Sequence, residues 1–265
     1  MRVIILGAKG MAGHMISLYF KENSDWEIIP LSRDEFNVEK DWESALLKLN
    51  IQKKVDCIIN AIGVLKNDSN SNPIRAIKVN SLFPHELAKF CTLQKIKLIH
   101  LSTDCWNDLD VYGRSKRAGE LNYPEHLTLR TSIIGPELKN GSGLFNWFMM
   151  QNEKVKGFTK HYWDGVTTLE LAIKIHEILS KNLPLSNIQN FRTEKKISKF
   201  ELLKHIKEIF GKQVKIESVN TEVVDKTCNN AEISCQKTLL AQIKELKTWM
   251  IGHKQDYSIY SKYLI

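Results

Sequence analysis

Tyr112 and Lys116 carry the clearest chemical signal in the chain. Their i, i+4 spacing sets both side chains on one face of a helix. A phenol with an ordinary pKa of about 10 is too weak an acid to help at neutral pH. An ammonium beside it favours the phenolate and lowers that pKa, which makes the tyrosine a usable proton donor or acceptor. A hydroxyl from Ser102 or Thr103, at the end of the apolar run 96–101, is placed to hold a substrate oxygen against the phenol. Tyr-x-x-x-Lys also occurs by chance on ordinary amphipathic helices, so the pair gains meaning only from the rest of the chain.

That support lies at the other end. The apolar run 3–7 reads as a strand buried on both faces, and it passes into Gly7-Ala-Lys-Gly-Met-Ala-Gly13 and then a helical segment, 14–20. Three glycines between strand and helix allow a tight turn, close approach of backbone to a phosphate, and close helix-on-strand packing. Gly7, Lys9, Gly10, Met11 and Gly13 are therefore candidate cofactor residues. The next strand, 27–31, closes on Ser32-Arg33-Asp34. A hydroxyl plus an arginine there suits a ribose 2′-phosphate and favours NADP(H). Asp34, directly beside them, argues the other way, for a ribose hydroxyl and NAD(H).

These residues need elements to position them. A strand over 55–60 ends in the small-residue turn Asn60-Ala61-Ile62-Gly63, which belongs beside the cofactor. A helix is expected over 41–49. A long helical segment, 72–93, is interrupted near Pro84. Asn80 stands just ahead of the break; a kink would turn it toward the site, whereas spacing alone fits an exposed helix asparagine equally well. A strand over 96–102, a helix over 115–121 and a strand over 127–134, containing Arg130, follow. Alternating strands and helices predict an α/β fold: a Rossmann-type, doubly wound parallel sheet with a smaller C-terminal substrate-binding lobe. Residues 1–136 form the expected cofactor domain. Residues 137–265 form mainly the lobe, with segments returning to the core, and expected helices at 141–150, 167–179, 200–210 and 232–249. Strands are expected there at 154–158 and 214–219; the tail 251–265 suggests no role.

At 265 residues the chain can bury a substantial core, and an apolar fraction of 43% is ordinary for a globular protein. No apolar run approaches the roughly 20 residues needed to span a bilayer. The start leads straight into a strand-like run, so no secretory signal is expected. Cys57, Cys91, Cys105, Cys228 and Cys235 are scattered without metal-ligand spacing, which predicts reduced thiols, no metal site and a cytoplasmic protein. A net charge of +8 is spread along the chain without a nucleic-acid motif, and an anionic small molecule accounts for it as well.

Taken together, the motifs resemble a known family over nearly the whole chain: the extended short-chain dehydrogenase/reductases, in their dTDP-4-dehydrorhamnose reductase branch. The resemblance rests on Ile4-Ile-Leu-Gly-Ala-Lys-Gly-Met-Ala-Gly-His14, Asn60-Ala-Ile-Gly63, Val79-Asn-Ser-Leu-Phe-Pro84, Leu101-Ser-Thr-Asp-Cys105, Tyr112-Gly-Arg-Ser-Lys-Arg-Ala-Gly-Glu120 and Leu129-Arg-Thr-Ser-Ile-Ile-Gly135. It implies NADP(H) bound by Gly7, Lys9, Gly10, Met11, Gly13, Ser32, Arg33, Asn60, Ala61, Gly63, Asn80 and Lys116. It also implies that Thr103 holds a keto oxygen, Tyr112 donates the proton, and Lys116 binds ribose while depressing the tyrosine pKa. Thr103, Asp104, Trp106, Arg130 and Ser132 are the expected substrate residues. The substrate would be a nucleotide-linked 4-keto-6-deoxy sugar for surface polysaccharide, and a homodimer is allowed for. A catalytically silent, NADP-binding regulatory subunit is the alternative within the branch.

Two departures fall on the substrate face. Relatives usually carry a much longer loop before the tyrosine, where this chain has only Cys105-Trp-Asn-Asp-Leu-Asp-Val111, and Tyr162-Trp-Asp-Gly165 stands where Phe-Ser-Gly is usual. Thr103 is followed by Asp104-Cys105 rather than two acids, which argues against the sibling 4,6-dehydratase chemistry.

Overall fold

The structure, a computed structural model, describes residues 1–139, 141–185, 187–227 and 232–264; the Trp106 side chain and Cys228 lie outside the described residues. The other cysteines are free thiols.

The first half runs β1 (Arg2–Leu6), α1 (Met11–Asn23), β2 (Glu27–Leu31), α2 (Trp42–Lys53), β3 (Cys57–Asn60), α3 (Lys66–Ser71), α4 (Pro73–Ala76), α5 (Phe83–Gln94), β4 (Lys97–Leu101), α6 (Val111–Ala118) and β5 (His126–Arg130). Next come β6 (Ile133–Ile134), α7 (Leu144–Met150), β7 (Lys154–Phe158), β8 (His161–Trp163), β9 (Val166–Thr167), α8 (Thr168–Ser180) and β10 (Asn187–Thr193). The last elements are β11 (Ile197–Ser198), α9 (Lys199–Phe210), β12 (Lys215–Val219), β13 (Val224–Lys226), β14 (Ile233–Cys235) and α10 (Leu239–Gly252). Two compact units result: Met1–Thr131 with Ala172–Asn190, and Ser132–Leu171 with Phe191–Ile265. The sequence places its boundary at 136; the compact units divide between Thr131 and Ser132, with Ala172–Asn190 grouped in the first.

A seven-stranded sheet in the order β14-β10-β5-β4-β3-β1-β2 is parallel throughout, the doubly wound arrangement expected of alternating strands and helices. Every second residue of a strand faces the same side. Ile4, Leu6, Ile58 and Leu98 accordingly share one buried cluster with Leu46 of α2 and Phe83, Leu87 and Phe90 of α5. At roughly 25 cal/mol per Å² of apolar area, each such side chain contributes about 1.5–3 kcal/mol. The chain runs outward from β1 to β2 and returns on the other side of β1 to β3, so the strand order reverses between β1 and β3. Ligands of open parallel sheets bind beyond the strand ends at such a reversal.

Several elements differ from expectation. The 72–93 helix is interrupted near Pro84, by a π-helical turn, Ile77–Leu82, just before it, while Pro84 itself is tolerated in the first turn of α5. The strand expected over 127–134 is two, β5 and β6. The helix expected over 232–249 begins only at Leu239, after Thr238 caps it by accepting from Ala241 N; β14 occupies its start. The helix expected over 141–150 starts at Leu144. Strand β10, Asn-Ile-Gln-Asn-Phe-Arg-Thr, is too polar to be read as a buried strand and was not foreseen. Among the described residues no helix is long and apolar enough to cross a membrane.

Within the second unit the tail has a packing role. Tyr260 is buried, accepts from Glu137 N at 3.1 Å and donates to Asn146 at 3.0 Å. Lys212, also buried, donates to Met149 O at 2.9 Å, to Gln151 O, and to Tyr263 Oη at 2.8 Å.

Candidate active site

Parallel register brings the chemical residues to one edge. Leu6 pairs with Asn60, Asn60 with His100, and Leu101 with Leu129. The residues that follow β1, β3, β4 and β5 therefore line the C-terminal edge of the sheet. Two other hollows, one around Lys97 and His126 and one around His85 and Tyr123, lie away from that edge, the first where β4 and β5 begin.

The glycine turn is built for close approach. Gly7 has φ +80°, and a Cβ there would stand 3.0 Å from Ala61 O; a Cβ on Gly13 would stand 2.2 Å from Gly7 O. Helix α1 starts at Gly10 with no side-chain cap and no acid in its first turn, so its N-terminal amides and dipole favour an anion. Beside it lies a groove of about 350 Å³ lined by Gly7, Gly10, Arg33, Ala61, Gly63 and Arg75 among others. A dinucleotide cofactor fits these residues: a glycine cradle that a Cβ would fill, an uncapped helix start and basic side chains farther along.

Several cofactor candidates turn out to be engaged by the chain itself. Ser32 binds the Glu35 carboxylate through both Oγ, 2.6 Å, and its amide, 2.7 Å, so its hydroxyl is not free for a phosphate. Lys9 pairs with Asp34 at 2.8 Å. Asn60 accepts from Ile62 N at 3.1 Å and donates to Nδ1 of the buried His100, also at 3.1 Å; it shapes the turn rather than facing the groove. Asn80, rolled inward by the π turn, is neither exposed nor available. It accepts from Val64 N at 2.8 Å and donates to Val64 O and Ser115 Oγ at 3.0 and 3.1 Å.

Thr103, Tyr112 and Lys116 come together. Asp110 caps α6 by accepting from Gly113 N at 2.8 Å, so the helix begins before 115 and Tyr112 sits in its first turn. The Tyr112 hydroxyl lies near enough to that of Thr103 for Thr103 to oppose the burial-driven rise of the phenol pKa. Thr103 Oγ1 also accepts from Cys105 N and donates to Asp104 Oδ1, each at 3.1 Å. Lys116 is buried, with Nζ donating to Leu101 O at 2.7 Å and about 4.0 Å from where a Gly63 Cβ would stand. Lys116 thus reaches the glycine-lined groove at Gly63.

The electrostatics differ from the sequence expectation. Burial pushes the Tyr112 phenol up to about 12, with the Thr103 hydroxyl opposing it; Lys116 does not depress it in the chain alone. Burial lowers Lys116 to about 8, and Glu120, one helical turn on, opposes that. His100 falls well below its ordinary range, through burial first and the Lys116 charge second.

Of the substrate candidates, Arg130 is held by Glu120, and the Ser132 hydroxyl, in the second unit, accepts from Trp163 Nε1 at 2.6 Å. The side chain of Trp106, also expected to meet substrate, lies outside the described residues. The sequence reading missed Glu120, although it stands in the quoted motif four residues after Lys116; that spacing was the available signal. Among the described residues there is no cluster of three or more metal-ligating side chains.

The family profile described as RmlD substrate binding domain matches residues 1–257. The chain belongs to that family. A dTDP-4-dehydrorhamnose reductase from Bacillus anthracis str. Ames, solved in complex with NADP, is similar with a TM-score of 0.79 at 17% identity, covering 94% of this chain and 98% of that one. The Clostridium acetobutylicum dTDP-4-dehydrorhamnose reductase gives 0.78 at 18% identity, covering 94% and 99%. RMD from Pseudomonas aeruginosa, complexed with NADPH, gives 0.71 at 15%, covering 94% and 98%. At such identities the likeness speaks for the fold. A comparison with curated proteins finds no match.

Proposed function

We propose that this protein is an NADP(H)-dependent oxidoreductase that reduces the 4-keto group of a nucleotide-linked 6-deoxy sugar, a step in making surface-polysaccharide precursors in the cytoplasm. The observation that carries the reading is the convergence at the sheet edge of Tyr112, with Thr103 beside it, and a buried Lys116 whose Nζ bonds Leu101 O at 2.7 Å and reaches to about 4.0 Å from where a Gly63 Cβ would stand. Similar folds solved with NADP and NADPH, and membership of the RmlD family, support it.

NADPH, when held in the glycine-lined groove, would supply the hydride. The residues of this chain do the rest. Tyr112 presents its hydroxyl to a carbonyl oxygen placed there, and Thr103 adds a second hydrogen bond once its hydroxyl turns from Asp104, as negative charge develops on that oxygen. A phenol pushed up to about 12 starts protonated at neutral pH but is a weaker acid than a free tyrosine, so its proton leaves only to the strongly basic alkoxide that forms as the carbonyl is reduced. Lys116, its Nζ about 4.0 Å from where a Gly63 Cβ would stand, holds a positive charge that Glu120 supports, where a ribose hydroxyl and the phenolate left by the departing proton both benefit.

The test is NADPH oxidation, followed by absorbance, with dTDP- and UDP-linked 4-keto-6-deoxy sugars. Turnover of any of them supports the reading. NADPH binding without oxidation at any sugar concentration would make the chain a silent regulatory subunit instead.

A further inference from the structure

The far end of the groove holds an arrangement that the glycine motif and the catalytic triplet do not explain. Glu39 Oε2 stands between two guanidiniums, 3.1 Å from Arg75 Nε and 3.5 Å from Arg33 Nη2. The two arginines come from different places: Arg33 follows β2, while Arg75 lies in α4, past the β3 turn. All three side chains line the same groove. Glu39 and Arg75 are partly shielded, with side-chain exposures of 34% and 29%, so this pair is less screened than the open Lys9–Asp34 pair at 62% and 81%. Ser32, the other residue expected at a 2′-phosphate, is already bonded to Glu35.

We propose that Arg75, with Arg33, takes the 2′-phosphate of NADP(H), and that Glu39 is the internal anion this phosphate displaces. The proposal rests on the cofactor named under Proposed function and deepens it. A phosphate with a charge of about −1.5 to −2 and three acceptor oxygens outcompetes a single carboxylate for two planar forks. A ribose 2′-hydroxyl carries no charge and cannot displace Glu39; it can only donate to it. Glu39 therefore sets the nucleotide preference, weakening NADPH binding by competition and giving NADH an acceptor. Arg75 supplies the opposing preference from the far wall.

The experiment is titration by protein fluorescence or calorimetry of NADPH, NADH, 2′,5′-ADP and 5′-AMP on the full chain. Arg75→Ala should weaken NADPH and 2′,5′-ADP about ten- to a hundred-fold and leave NADH and 5′-AMP unchanged. Arg75→Lys, which keeps the charge and loses the fork, should fall between. Glu39→Gln should tighten NADPH and 2′,5′-ADP, weaken NADH, and steepen the salt dependence of NADPH binding. A thermal melt of each variant separates lost binding from lost fold. If Arg75→Ala and Arg75→Lys leave the NADPH-to-NADH ratio at its wild-type value, the Arg75 assignment is wrong while the cofactor reading stands. If wild-type protein binds neither dinucleotide, both fall.

Discussion

Glu120 holds Arg130 in a two-point pair, Nε to Oε1 at 2.7 Å and Nη2 to Oε2 at 2.5 Å, and accepts from Ser102 Oγ at 2.8 Å. The acid is buried, so the pair is shielded from solvent and the arginine is committed to it. Arg130 is thereby a framework residue rather than a ready sugar ligand. The same carboxylate is the one charge that opposes the burial-driven fall of Lys116.

Glu120→Gln is expected to act on both partners. Leaving the half-buried Arg130 without its acid should cost stability, up to about 3 kcal/mol, the low end for a broken buried pair. Lys116, already lowered to about 8, should fall further. The alkaline limit of NADPH binding should then move to lower pH, which calorimetric titration across pH 6 to 9 would register. An unmoved limit would show that Glu120 serves structure alone.

Tyr112→Phe keeps the ring and removes the proton donor, so turnover should drop by a factor of order 10²–10⁴ with NADPH affinity retained. Steady-state kinetics and a cofactor titration check both halves. Wild-type turnover in the variant would place the proton donor elsewhere.

Much of this site was legible in the sequence because short-range spacing fixed it. The i, i+4 step of Tyr112 and Lys116, the glycines between strand and helix, and the hydroxyl at a strand end are all local facts. What the sequence hid is long-range: Glu39 meeting Arg75, Asn80 reaching Val64 and Ser115, and Asn60 reaching His100. Asn80 and Asn60 read as ligands and are found as braces, and none of the three pairings follows from spacing along the chain. β10 was missed for a related reason. Its polar composition hides a strand whose partner, β5, lies far off in sequence.

Lys116 also makes a stability prediction. Its folded pKa, about 8, lies below the ordinary 10.5, so the native state binds fewer protons than the unfolded one between those values. Stability from this group is therefore present above about 10.5 and is lost as pH falls through about 8. A shift of that size is worth about 3 kcal/mol at one pKa unit per 1.36 kcal/mol. Lys116→Met, which has no charge to bury, should lack this dependence. Denaturant midpoints of the two proteins at pH 7 and pH 10 should show wild type gaining on the variant as pH rises; parallel behaviour would contradict the lowered pKa.

The shortened loop before Tyr112 gives the last prediction. Its backbone lies directly on α6: a Cβ on Gly113 would stand 2.5 Å from Cys105 O and 2.6 Å from Asp108 O. Those are backbone atoms that no side-chain rotation can clear. Lys66 ties the same loop down, 2.6 Å from Asp110 and 3.8 Å from Asp108. Gly113 is thus what lets a short loop reach from Thr103 to Tyr112 without pulling their hydroxyls apart. Gly113→Ala should push the 105–108 backbone off the helix at a cost of about 1–3 kcal/mol, the usual range for overpacking. The Thr103–Tyr112 contact should loosen with it, so kcat should fall while NADPH affinity, set on the far side of Lys116, holds. Lys66→Met, with an exposed cation removed and the loop seat intact, should do far less to either. If Gly113→Ala keeps wild-type kcat despite a lowered melting temperature, the loop yields without disturbing the hydroxyl pair, and its seating on α6 is not what aligns the site.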